Sequence, residues 1–269
     1  MDKLTIYGVK SNRPLNNDLR DEQKNVLKII SSNDVSYQML LRNPTERVNR
    51  IVKNYYLRKP VIDDLNKNGV RVRDVEFAHP HYSGKKTFQK AMPILVKWLK
   101  NKDLNYHVKS SIAHVLVENS IAKQYAFDTI IDEYKMVDRT YKDEWDYITD
   151  YTVFLGNAFI KWTDDSYAPI IFNLLDEKRF ENDAWLLYSL KNLKKPENIA
   201  RAKSILLDRL KRHPQDYKLL LTIIETLRKL KAVESKETLQ QLLSLPEMEV
   251  RREVKKTLIE FDKLSAKKI

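Results

Sequence analysis

From about Thr87 onward, apolar residues recur along the chain at steps of three and four. Ile199, Ala202, Leu206 and Leu210 form one such series, and Leu220, Ile223, Ile224, Leu227 and Leu230 form the next. Val250, Val254, Leu258 and Phe261 form a third. Each series is one face of a helix of 3.6 residues per turn. The stretch from Phe88 to Glu118 shows the unit in full: two such helices flank the polar break Asn101-Lys102-Asp103. Neither could bury its stripe alone, so the pair needs neighbours. The pattern predicts five pairs, the first over 87–100 and 105–118, the second over 121–136 and 144–162, and the third over 166–178 and 183–193. The fourth spans 196–212 and 215–230, and the fifth 235–245 and 247–264. The breaks within pairs centre near 102, 140, 180, 214 and 246, spacings of 38, 40, 34 and 32 residues. Self-similarity at that period marks stacked helical repeats.

Upstream the pattern is less regular. A helix is predicted near 16–31, a short one before Asn43-Pro44, and another from Pro44 with Val48, Ile51, Val52, Tyr55 and Tyr56 on its apolar side. Pro60 is expected to stop that helix and open the next, which ends at Asn68-Gly69. Val70 to Phe77 alternates apolar and charged residues as a strand does. It is expected to be an extended connector, since only Leu4–Tyr7 offers a partner.

The pairs resemble the HEAT-repeat family. Pro93-Ile94-Leu95, Asp103 and Val108-Lys109 match its pattern in the first pair, Pro169-Ile170-Ile171 and Asp176 in the third, and Val250-Arg251 in the fifth. The resemblance spans about 87–264 and implies an all-α fold, an α–α superhelix of about five pairs in a right-handed arc. Residues 1–86 would be an N-terminal helical cap and 265–269 a basic tail. It also implies that the turn aspartate caps or faces the second helix, and that Lys109 and Arg251 act as rungs to acids of the same or a neighbouring repeat.

Composition narrows the class. Only 4 of 269 residues are glycine, against roughly 7% in average usage, which favours helices joined by short polar links. Cysteine is absent, so disulfides and thiolate metal sites are excluded. No opening signal segment and no run of about 18 apolar residues is present, so a cytoplasmic protein away from membranes is expected. Basic residues outnumber acidic ones 49 to 37. Residues 1–90 carry 18 and 10, residues 91–150 carry 8 and 10, and residues 151–269 carry 23 and 17. Such an excess attracts polyanions, although solvated lysine-rich helix faces produce the same count.

Candidate chemistry follows. No glycine-rich phosphate loop, Gly-x-Ser-x-Gly elbow or His-Glu-x-x-His sequence is present, so no cofactor is expected and a noncatalytic scaffold is favoured. His79 and His81 lack further ligands at motif spacing, so no metal is expected. Aromatics and acids interleave in the middle of the chain. Trp145, Tyr151, Trp162 and Trp185 are candidate anchors for a protein or peptide partner on the wall of the second helices. The competing expectation is that these rings pack between repeats while the acids cap helices. Lys211, Arg212, Lys218, Arg251, Arg252, Lys255 and Lys256 are candidate polyanion contacts, which keeps nucleic acid as the second class of partner. Alkylpurine DNA glycosylases of HEAT-like fold offer an enzymatic analogy, with Trp145, Trp162, Asp164, Asp165, Asp183 and Trp185 as the pieces at hand.

Overall fold

Local punctuation sets where the first helices begin and end. The computed structural model describes residues 19–31, 34–138 and 147–266. Among these it contains fourteen α-helices and no strand. The first three are α1 (Asp21–Ile30), α2 (Asp34–Leu41) and α3 (Thr45–Lys67). Leu19, Leu27 and Val48 are buried together, with Ile30, Tyr37, Leu40, Leu41, Ile51 and Val52 packed around them. Pro60 does not stop α3, contrary to expectation; it lies exposed within one continuous helix. The proline deprives the Tyr56 carbonyl of its N–H partner. Tyr55, Val61, Ile62 and Leu65 are nevertheless all buried along this helix, and that packing outweighs the lost bond. The helix ends as predicted. Gly69 has φ +79° and the Val70 N–H bonds back to the Leu65 carbonyl at 2.9 Å, the left-handed closure that glycine permits.

The alternation in Val70–Phe77 is not a strand. Val70 and Val72 are buried, and the Asn66 side-chain amide pairs with both backbone groups of Val72 at 2.9 Å each. One side chain therefore stands in for a neighbouring strand. The second half of the segment closes into a 3-10 turn over Val75–Ala78. Arg58 reaches over from α3 to Asp74 at 3.0 Å and Glu76 at 3.6 Å. Burial pushes the Asp74 carboxyl above its usual range, against the pull of Arg58.

A short helix, α4 (Pro80–Ser83), forms where a loop is expected. The other helices follow the predicted pairs closely: α5 (Lys85–Leu99), α6 (Tyr106–Val117), α7 (Lys123–Met136), α8 (Tyr147–Trp162), α9 (Ala168–Asp176), α10 (Ala184–Ser189), α11 (Pro196–Arg212), α12 (Tyr217–Lys229), α13 (Lys236–Gln241) and α14 (Met248–Ala266). The chain forms two compact units, Met1–Phe154 and Leu155–Ile269, and the division falls within α8.

In the first unit α5, α6 and α7 pack on one another, with α3 against α5 and α6. The aromatic rings of α6 meet those of α8: His107 lies 4.3 Å from Tyr147, Tyr106 5.7 Å from Tyr151, and His114 4.8 Å from Phe154 in a stacked pair. The two histidines seven residues apart thus share a packing face. Lys109 is a rung, as the repeat resemblance implied. Its Nζ lies 2.6 Å from Glu133 of α7, and the Tyr151 hydroxyl of α8 donates to the same oxygen at 2.7 Å.

In the second unit the second helices line up, with α10 against α12 and α12 against α14. The first helices are tied by arginine. Arg201 of α11 lies 4.5 Å over the Phe172 ring and 3.1 Å from Asp176, both on α9. Buried Arg209 donates to the Leu175 carbonyl at 3.1 Å, an acceptor left over at the end of α9, and to the Glu181 carbonyl of the turn that follows at 2.9 Å. Arg251 has no ion-pair partner among the described residues, so it is not a rung. The capping aspartates are not those expected either. Asn105, not Asp103, caps α6, and Asp183, not Asp176, caps α10. A cap must sit directly before the first helical residue for its oxygen to reach the N–H groups one turn in.

Candidate functional site

Asp183 starts the construction of the site. Its carboxylate accepts the Trp185 and Leu186 N–H groups at 3.0 and 3.2 Å and so sets the first turn of α10. That turn presents Trp185, half-buried, towards α8. The indole lies where Gly156 leaves room: a Cβ built on Gly156 would come within 2.5 Å of the ring. Beside Trp185 opens a cavity of about 510 Å³, bounded by Ile160 of α8 and by Ala184 and Tyr188 of α10. Leu221, Thr222 and Glu225 of α12 form its far wall, and Glu253 of α14 its end.

The polar edge is held in place. The Tyr188 hydroxyl donates to Glu225 at 2.7 Å, and burial together with that carboxylate pushes the phenol up to about 12. The Lys191 ammonium lies 3.5 Å over the Tyr188 ring, and burial lowers its pKa. Arg228 reaches Glu253 and Glu260 at 3.1 Å each, and Glu225 at 3.9 Å. Lys256 approaches Glu253 at 3.6 Å. An aromatic and aliphatic floor thus meets carboxylates fixed in position, a combination that anchors one apolar side chain and accepts hydrogen bonds from its flanking N–H donors.

Of the aromatic candidates, Trp185 lies on this groove. Tyr151 and Trp162 are buried and offer a partner no surface, while Trp145 falls outside the described residues. Burial pushes the Tyr151 hydroxyl upward in pKa, reinforced by Glu133. Three of the central acids, Asp164, Asp165 and Asp183, accept backbone N–H groups as the competing expectation held, while Asp176, Glu177 and Glu181 face arginines. Asp165 accepts the N–H groups of Lys194 and Lys195 and the Asn198 amide, which hold its carboxyl below the usual range. Asp164 accepts the Ser166 N–H at 2.9 Å.

The basic candidates divide. Arg212 pairs with Asp208 and approaches Glu181, and it shares the α11–α12 turn with Lys218. Lys211, Arg252 and Lys255 are exposed, and Arg251 is half-exposed. Among the described residues no group of three or more His, Asp or Glu side chains is placed to hold a metal ion, and no helix is long and apolar enough to cross a membrane. Comparison of the chain with protein-family models, with curated proteins and with solved structures finds no match.

Tyr188, Leu221, Glu225 and Glu253 escaped the sequence reading because nothing in their spacing separates them from solvated helix positions. Gly156 was the legible signal. A lone glycine inside a strongly apolar helix of a chain this poor in glycine marks a close approach. Substituting Gly156→Ala tests this. Alanine favours a helix interior by about 1 kcal/mol, yet here the net result is expected to be a loss of about 1–3 kcal/mol, because the whole indole must move. Urea unfolding and a shift in tryptophan emission read the change, and an unchanged spectrum with a gain in stability would refute the close approach.

Proposed function

We propose that the protein is a noncatalytic scaffold of HEAT-like helix pairs, and that its second unit binds a peptide segment of a protein partner in the groove on α8, α10, α12 and α14. The supporting observation is the groove itself. It is open, about 510 Å³ in volume, floored by a half-buried tryptophan and edged by two carboxylates in fixed positions. Stacked second helices present such walls in repeat proteins, which supports reading α10, α12 and α14 as one binding face. Trp185 is the anchor, since a tryptophan in a partly desolvated pocket carries much of an interface's energy. Glu225 and Glu253 are already held by Tyr188, Arg228 and Lys256, so the edge offers acceptors for peptide N–H groups while the floor takes a large apolar residue.

Selection of a displayed random-peptide library on the whole protein tests the reading. Enriched peptides should share a large apolar residue. Trp185→Ala should weaken them by about 30-fold, the effect of a hot-spot residue. Ala184→Gln narrows the mouth from an exposed position, and should weaken them about tenfold while leaving the melting temperature unchanged. No enrichment, or peptides indifferent to both substitutions, overturns the proposal.

A further inference from the structure

The first unit carries a surface of different chemistry, independent of the groove. The loop after α3 and the start of α5 bring cations and a cluster of tilted and edge-on rings close together in the chain. Arg73 lies 4.3 Å over the Phe77 ring while one of its terminal nitrogens donates to the Ser31 carbonyl at 2.7 Å. Phe77 in turn lies 5.2 Å from Tyr82, and His81 meets Tyr82 edge-on at 5.1 Å. Tyr82 is 63% exposed, although three rings, Phe77, His79 and His81, pack against it. Beside it opens a cavity of about 510 Å³ that Arg71, Arg73, Phe77 and Tyr82 help to line.

The chain on either side of Tyr82 is rich in cations: Arg71 lines the cavity and Lys85 and Lys86 open α5, while Glu118 faces His79. Arg71, Lys85 and Lys86 are exposed, and none has an ion-pair partner among the described residues. The carboxylates of the same loop are committed elsewhere: Asp74 and Glu76 both turn to Arg58. An exposed ring beside the Arg73-covered Phe77, a cavity lined by a free arginine, and two free lysines close by in the chain together match a ligand that alternates flat bases with phosphates. Base stacking on an aromatic is worth roughly 1–3 kcal/mol, and it needs a base that is not already stacked in a duplex. Arginine forks and lysines bind the phosphates. An acidic peptide would use the cations and leave the ring idle.

We propose that this surface binds single-stranded nucleic acid, with one base stacked on Tyr82 and adjoining phosphates held by Arg71, Lys85 and Lys86. Fluorescence anisotropy of a fluorescein-labelled oligothymidylate with the full chain, titrated with salt, tests it. Binding is expected at low salt. Tyr82→Ala should weaken it about 5- to 150-fold, and Tyr82→Phe should retain it, since the ring and not the hydroxyl makes the stack. Substituting Arg71, Lys85 and Lys86 together by alanine should lower the slope of log Kd against log salt by about 0.7 for each phosphate no longer neutralised. An abasic phosphodiester of equal length should compete poorly.

No binding at low salt overturns the proposal. Equal competition by the abasic strand also overturns it, since that outcome assigns the surface to polyanions in general. A loss on Lys255→Ala with Lys256→Ala as large as that on the triple substitution would place the ligand on the other unit instead. Ala184→Gln, which narrows the peptide groove, should leave oligonucleotide affinity unchanged, so the two proposals fail separately.

Discussion

Replacing Lys109 by methionine is expected to cost the fold about 3–5 kcal/mol, the range for breaking a buried ion pair from one side. The Lys109 and Glu133 side chains are only 6% and 9% exposed. Two hydrogen bonds converge on one Glu133 oxygen, from Lys109 at 2.6 Å and from Tyr151 at 2.7 Å. Methionine fills the volume but leaves a carboxylate desolvated with one neutral donor. The cost arises from that stranded charge and is not a measure of what the pair contributes. Replacing both partners, Lys109→Met with Glu133→Leu, should therefore cost less than Lys109→Met alone. Tyr151→Phe removes one bond to a charged acceptor and should cost about 1.5–3 kcal/mol. Urea unfolding followed by circular dichroism measures all three. A double variant that unfolds more easily than the lysine variant would show that the pair's mutual attraction outweighs its desolvation. The three residues sit on α6, α7 and α8, so the rung also sets how the rings of α6 meet those of α8.

Leu206→Ala should destabilise the second unit by about 2–5 kcal/mol, the usual cost of a cavity where a fully buried leucine stood. Leu206 is 0% exposed on α11, as are Leu220, Ile223, Ile224 and Leu227 on α12, the helix it packs beside. These residues are also the rear support of the groove. Leu221, Thr222 and Glu225 leave the same helix towards the cavity, so a loosened α11–α12 interface should weaken peptide binding without touching a lining residue. Ile259→Ala is the control. Ile259 is 55% exposed on α14, and its truncation should change stability by less than about 0.5 kcal/mol. A loss at Leu206 no larger than that at Ile259 would mean that the apolar stripe faces elsewhere.

The periodicity of the chain was enough to locate its helices. Pro196–Arg212 begins and ends as the pattern predicts, and α5, α6 and α12 differ from prediction by one or two residues at each end. Helical periodicity is a local property, repeated every few residues, so a single sequence carries it. The failures share a cause. Pro60 reads as a stop, and only the buried residues on both sides keep α3 whole. Val70–Phe77 reads as an extended connector, and only its second half departs, closing into a 3-10 turn in which Val75 and Ala78 are buried.

The site lies further from the sequence still. Trp185 could be named from its type, but Tyr151 and Trp162 are aromatic in the same way and lie buried. Their helices alone do not say which ring faces a neighbour and which faces a cavity. Glu225 and Glu253 are ordinary acids in the chain, 28 residues apart, until α12 and α14 bring them to one edge beside Trp185. By itself, then, the sequence determined the helical class and most helix limits, because propensity, spacing and capping act over a turn or two. Which rings are core, which carboxylates line a groove and which cations stay unpaired was decided only by packing between helices, since each is a relation among residues far apart in the chain.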